Sequence, residues 1–305
     1  MTVGVSEARI GPGEARTGWG NLFSSRYWLL VLPAFAFFFV FFVIPVVLLF
    51  AIAFNPSVAG VVRFTPSLSL ENFERFFGSS LYYGAALRSV VLACVVSFFT
   101  LLLGYPLAYF VAKTKSPRRN TFYMILILVS MQLDIVIRMY GLMVLLGDNG
   151  LINATLIRYK LIATPLPLMY NSFGVIVGLV QLSLPFMILS LIGIIQGINP
   201  SLEEAARSLG ASRWSTFWNI TFPLTLPGVL AGSLLSFAIA ISSYVVPALM
   251  GGWRVVVMPI HLYQQISEMG YWQFGAAIAV VLFLISFVAV YAYHRFTENT
   301  IGGLV

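Results

Sequence analysis

Charge is scarce in this chain: nine per cent of its 305 residues are Asp, Glu, Lys or Arg, against about a quarter in an ordinary soluble domain. With 60% hydrophobic residues and a mean hydropathy of +0.94, that scarcity excludes a water-soluble globular domain and defines an integral membrane protein. Cysteine is nearly absent. The single Cys94 lies in an apolar run, so neither a disulfide framework nor a cysteine metal site can be assembled. The two histidines, His261 and His294, are far apart and lack metal-ligand spacing. No Gly-rich loop ending in Gly-Lys-Ser/Thr occurs, so the chain does not hydrolyse ATP itself, and no nucleophile stands beside a base. No catalytic residue, cofactor or metal is therefore assigned to it. The net charge of +7 is scattered among apolar segments and only three residues are Lys, which fits membrane topology and not a nucleic-acid surface.

What is present is a series of apolar runs. A helix needs about 20 such residues to span a bilayer, and six stretches qualify: Tyr27 to Phe54, Ala85 to Ala112, Thr121 to Leu146, Phe173 to Ile194, Leu224 to Met250 and Phe274 to Tyr293. The fold predicted is all-α and polytopic, with six transmembrane helices over residues 27–294, a polar tail over 1–26 and a short tail over 295–305. Residues 1–26 have no apolar core and do not read as a cleavable signal peptide. The loop Lys113-Thr114-Lys115-Ser116-Pro117-Arg118-Arg119 carries four positive charges next to a span, so it is predicted to face the cytoplasm. Six spans then place both termini, and the loop over 199–223, on the same side.

That loop holds Glu203, Glu204, Ala205, Ala206, Arg207 and Gly210. Asn199 with Pro200 at the first helical position, or Ser201 with Glu204 as a capping box, starts a helix. Gly210, able to take the left-handed conformation, ends it. Beyond it, residues 212–220 read as a second amphipathic piece at headgroup level. Read from the residues alone, the segment is either a capped interfacial link between spans or a docking element. On the opposite side, Ser69 to Phe77 has a capping candidate and a hydrophobic stripe and is predicted to be an interfacial helix.

Within the third span, Asp134 and Arg138 are four apart, hence on one helical face and able to pair. Ionisable groups inside spans are rare and usually face a cavity or the bundle interior, so Asp134, Arg138 and the adjacent Tyr140 are candidates for a solute pathway, the alternative being a structural ion pair. Prolines 45, 106, 185 and 247 lie inside the spans, where they either kink the helices or are accommodated by neighbours, and GxxxG pairs occur at Gly174/Gly178, Gly193/Gly197 and Gly228/Gly232.

The order Glu204-Ala205-Ala206, Gly210, Ile220, Pro223 resembles the EAA loop of the membrane subunits of type I ATP-binding-cassette importers. Phe222 stands where that family usually has Leu. Arg138-Met139-Tyr140, continuing through Met143 to Asn153, resembles the third-span region of spermidine/putrescine importer permeases, with Asp148 and Asp134 departing from their usual residues. The resemblance implies a transport subunit without chemistry of its own. Its partners would be a second homologous permease, two ATPase subunits that bind ATP and Mg, an extracytoplasmic substrate-binding protein, the membrane lipid and a small-molecule solute. That solute would be a polyamine, or else an amino-acid derivative, an opine or a thiamine-like compound. Tyr244 and Glu268 join the candidate pathway residues only through this resemblance, since the cationic solute it implies would suit carboxylates and aromatic faces. Residues 203–207 and 210 would receive the ATPase. The competing class is an ion-gradient-driven carrier, which calls for paired broken helices with acids in corresponding halves; one clear intramembrane acid and no convincing repeat are found.

Overall fold

The computed structural model describes residues 25–62 and 68–301, so the expected tail over 1–26 lies almost wholly outside them, as does Arg63. The chain divides into two compact units, residues 1–49 and 50–305. Among the described residues every regular element is helical, and six helical segments are long and apolar enough to cross a membrane, as hydropathy predicted.

The first unit contributes α1 (Ser25–Phe38), a π-helical turn over Phe39–Val43, and most of α2 (Ile44–Ala53). Pro33 and Pro45 ride within this continuous helix. The second unit begins with α3 (Glu71–Gly78), the predicted amphipathic helix. Its stripe does not float on the surface: Phe76 is buried to 1% exposure against Tyr82, Phe274 and Ile278, and Asn72 is buried, donating to the carbonyls of Ala53 and Asn55.

Three long helices form the core of the second unit. α4 (Ser80–Ala112), α8 (Ser172–Gly197) and α11 (Phe222–Ser242) pack side by side, burying Val96, Leu179, Met187 and Leu191. At 33 residues α4 is about 50 Å long, more than a bilayer core requires. Small residues set the spacing. A Cβ on Gly232 would stand 2.5 Å from the Met187 sulfur, and one on Gly228 would stand 3.1 Å from the Ser190 carbonyl, so this GxxxG pair is a close helix crossing. Gly193 and Gly197 face open space and set no such contact.

Two predicted spans are broken. The third is α5 (Pro117–Gln132) followed by α6 (Ile135–Leu146), with Leu133 and Asp134 extended between them. The stretch long and apolar enough to cross a membrane there runs over Ile135–Arg158, including α7 (Leu151–Arg158). Buried Asn153 clamps the α6–α7 junction by bonding Gly147 and both backbone groups of Leu166. The fifth span stops at Ser242 and not at Met250. Pro247 has no N–H to give, and its ring displaces the carbonyl four residues back, that of Ser243, where the backbone turns extended. A short helix, α9 (Pro200–Ser208), and a single turn, α10 (Arg213–Thr216), precede α11, while α12 (Met258–Tyr263) and α13 (Trp272–Ile301) complete the chain.

Candidate coupling loop and far-end cleft

The loop between α8 and α11 is built from local rules. Of the two capping schemes, the structure uses Asn199, whose side chain accepts from the Ser201 N–H at 3.0 Å with Pro200 at N1. At the other end Gly210 has φ +89°. The Gly210 N–H donates to Arg207 O and the Ala211 N–H to Ala206 O, both at 3.0 Å, the paired bonds of a Schellman stop. Ser212 then caps α10 through the Ser215 N–H. A π-helical turn over Phe217–Thr221 leads into α11, with Pro223 in its first turn.

This puts Glu204, Ala205, Arg207 and Gly210 on an exposed surface, with Glu203 and Ala206 half-buried beneath. Leu209 is 90% exposed and Trp214 71%, a protruding apolar pair beside the charged helix. Glu203 points the other way. Its Oε1 accepts from Lys113 Nζ at 2.8 Å and from Thr221 Oγ1 at 2.9 Å, so one carboxylate oxygen ties α9 to the end of α4 and to the π-helical turn. Burial works to raise this carboxyl's pKa. The hydrogen bonds from Lys113 and Thr221, with the charges of Lys113 and Arg207, outweigh it and hold the carboxyl below its ordinary value. Lys113 and Thr221 are the partners sequence reasoning missed. Lys113 was legible only as a topology marker, and 90 residues separate it from Glu203.

At the other end of α11 a cleft of about 240 Å³ is lined by Tyr244, Trp253, Tyr263, Gln264 and Glu268. The rings of Tyr244 and Tyr263 lie 4.8 Å apart and tilted. Partial burial raises the Tyr244 hydroxyl's pKa, and Tyr263 and the Glu268 carboxylate add to the shift. Glu268 is exposed and makes no ion pair among the described residues. Tyr271, another aromatic of this region, is engaged by Arg75, whose guanidinium stands 5.4 Å from that ring and 4.2 Å from Phe274.

Of the five predicted pathway residues, the cleft brings together Tyr244 and Glu268 only. Asp134 and Arg138 do not pair. Asp134 caps α6, accepting from the N–H groups of Val136 (2.8 Å) and Ile137 (3.4 Å). Arg138 turns back to the carbonyls of Ser130 and Leu133, the freed acceptors at the negative end of α5. Tyr140 is 56% exposed on the outside of α6. The broken helix thus consumes both charges locally.

The class of a three-helix core with a capped, exposed helix between its last two members is given by sequence comparison. Residues 104–301 match the family described as "Binding-protein-dependent transport system inner membrane component", and the chain belongs to that family: it is a multi-pass, inner-membrane permease component of an ABC transporter. Among curated proteins it is similar to the spermidine/putrescine transport system permease protein PotB of Escherichia coli K12, 34% identical over 74% of this chain and 82% of that one. The Haemophilus influenzae PotB is 31% identical over 75% and 79%, and the E. coli inner membrane ABC transporter permease protein YdcU 27% over 71% and 72%. Among solved structures, a bacterial ABC transporter that imports the acidic polysaccharide alginate shares the fold. Its TM-score is 0.70 at 18% identity, covering 92% of this chain and 97% of that one.

Proposed function

We propose that this chain is the permease through which an ATP-driven importer moves polyamines, or a closely related small organic cation, across the bacterial cytoplasmic membrane. The observation that carries the transport reading is α9: a helix closed at both ends, with Glu204, Ala205 and Arg207 exposed, and anchored to two neighbouring segments through Glu203. Such a helix accepts a partner and passes its movement to α4 and α11. Two ATPase subunits, holding ATP and Mg, dock there on the cytoplasmic side. A second, homologous permease completes the pathway, and an external binding protein delivers the solute. Both termini lie in the cytoplasm, in keeping with the four basic residues over 113–119.

The names of the curated relatives support a polyamine, and so does the far-end cleft. Two tyrosine faces and the unpaired carboxylate of Glu268 suit an alkylammonium group through cation–π and ionic attraction. ATP binding drives the permease between inward-open and outward-open states because α9 is held differently in each. The test has two arms. The cognate external protein is titrated with putrescine and spermidine, and the reconstituted assembly is assayed for ATP-dependent uptake of the same compounds. Micromolar binding with ATP-dependent uptake is expected; a binding protein that ignores both polyamines refutes the solute, and uptake driven by an ion gradient without ATPase subunits refutes the machine.

A further inference from the structure

The turn from α4 to α5 carries more positive charge than a connection needs. Lys113, Lys115, Arg118 and Arg119 fall within seven residues. Between the last turn of α4 and the first of α5 lies a cavity of about 430 Å³ lined by Tyr109, Phe110, Lys113, Lys115, Arg119 and Tyr123. Its walls are aromatic: the Phe110 and Tyr123 rings are 5.5 Å apart, and the Lys113 ammonium stands 5.9 Å from the Tyr109 ring centroid. No acid lines it.

The charges in this cavity are unequal in their engagement. Lys113 is already paired with Glu203 at 2.8 Å. Lys115 and Arg119 are exposed and make no ion pair among the described residues. The start of α5 adds to the imbalance, since its first turn has no acidic residue and Ser116 caps no N–H with its side chain, leaving the positive end of the helix dipole uncompensated. Two free cations call for an anion. The aromatic walls, continuous with exposed Phe110 and Phe122 (59% and 62%), call for that anion to be attached to something apolar.

We infer that this cavity binds the phosphate of an anionic glycerophospholipid, with Lys115 and Arg119 on the phosphate oxygens and the rings of Tyr109, Phe110 and Tyr123 against the glycerol and the first acyl carbons. Basic pockets at the ends of spans hold lipid headgroups on these terms. A soluble phosphate ester presents the same oxyanion but leaves the aromatic walls uncovered. A phosphate here also lies beside Lys113 and competes with Glu203 for it, so bound lipid loosens the tether on α9. The inference does not depend on which solute is carried.

Native mass spectrometry of the purified, full-length assembly, extracted from phosphatidylcholine vesicles containing a minor share of phosphatidylglycerol, tests it. The wild-type chain should retain phosphatidylglycerol over phosphatidylcholine by about tenfold. The pair K115Q/R119Q should lose that preference, and the charge-matched pair R118Q/R213Q should keep it. All four side chains are exposed, so neither pair should disturb folding. Equal retention by both pairs overturns the site. Excess glycerol 1-phosphate supplies the second arm: failure to displace the lipid supports the headgroup assignment, whereas displacement at comparable concentration overturns it in favour of a soluble phosphate. Retention is read whether or not polyamines are transported, so failure here is separable from failure of the transport reading.

Discussion

Glu203 and Glu268 are the same residue type at opposite ends of α11, seven and two residues ahead of a glycine with positive φ, Gly210 at +89° and Gly270 at +73°, yet their surroundings are opposite. Glu203 is half-buried and its Oε1 is occupied by Lys113 and Thr221. Glu268 is exposed, unpaired, and faces a cleft with two tyrosine rings. A carboxylate whose bonds are filled by its own chain holds structure in place; one left open beside aromatic faces is available to a ligand. The same contrast separates Glu203 from its neighbour Glu204, which is exposed on the outer face of α9.

The largest effect that sharpens this contrast is expected at Gly210. Gly210→Asp forces a side chain into the left-handed region and sets a negative charge at the negative end of α9, costing about 2 kcal/mol or roughly thirtyfold. Space is not the obstacle, since nothing lies within 4 Å of a Cβ there. Co-purification of the ATPase subunits and ATP-driven uptake should both collapse; intact assembly and uptake would remove the docking role.

Glu203→Gln comes next. It removes the ion pair with Lys113, whose side chain is 30% exposed against 12% for Glu203, so about 1 kcal/mol is at stake after solvent screening. A fivefold drop in uptake per ATP hydrolysed is expected, with ATPase binding retained. The same tether has a pH signature. Because the folded carboxyl's pKa lies below the ordinary 4.5, its contribution is fully present above that value and is lost as pH falls through the folded pKa. Hydrogen exchange across α9, corrected for intrinsic rates, should be flat from neutral pH down to about 5 and rise only below it; a rise near neutrality would contradict the clasp.

At the other end, Glu268→Gln should leave ATPase docking and basal hydrolysis untouched while raising the putrescine concentration for half-maximal uptake about threefold, the loss of one exposed charge contact. If Glu268→Gln and Glu203→Gln produced the same defect, the distinction between the two ends would fail. The smallest effect is reserved for Asp134→Asn. Asn caps a helix as well as Asp does, so stability and uptake should stay within about 0.5 kcal/mol of wild type, whereas a pathway carboxylate would show a clear transport loss.

Much of the coupling loop was legible in the sequence because its rules are short-range. Asn199-Pro200 and Gly210 mark the ends of α9 within eleven residues, and hydropathy locates six spans without reference to packing. What escaped was either non-local or a contest between two local rules. No spacing connects Lys113 or Thr221 to Glu203, nor Tyr263 to Tyr244. At Asp134 the sequence reading weighs a pathway role against an i,i+4 pair with Arg138 and does not weigh an N-cap; the cap prevails because Leu133 leaves the helix. Once α5 ends there, its exposed carbonyls are nearer partners for Arg138 than the carboxylate is. At Pro247 the local rule alone does not decide, because Pro106 and Pro185 sit inside unbroken helices; the fifth span breaks where the backbone at Ser243, four residues before Pro247, turns extended.

The oxygen shared by Lys113 and Thr221 also bears on how such chains diverge. A substitution at 203 that cannot accept both bonds strands an ammonium group and a hydroxyl on two separate segments, so a lone change at any of the three positions is disfavoured until the others follow. Across the permeases of this family, positions 113, 203 and 221 should therefore vary as a set, with a carboxylate at 203 accompanied by a donor at each of the other two, and an apolar residue at 203 accompanied by their joint replacement.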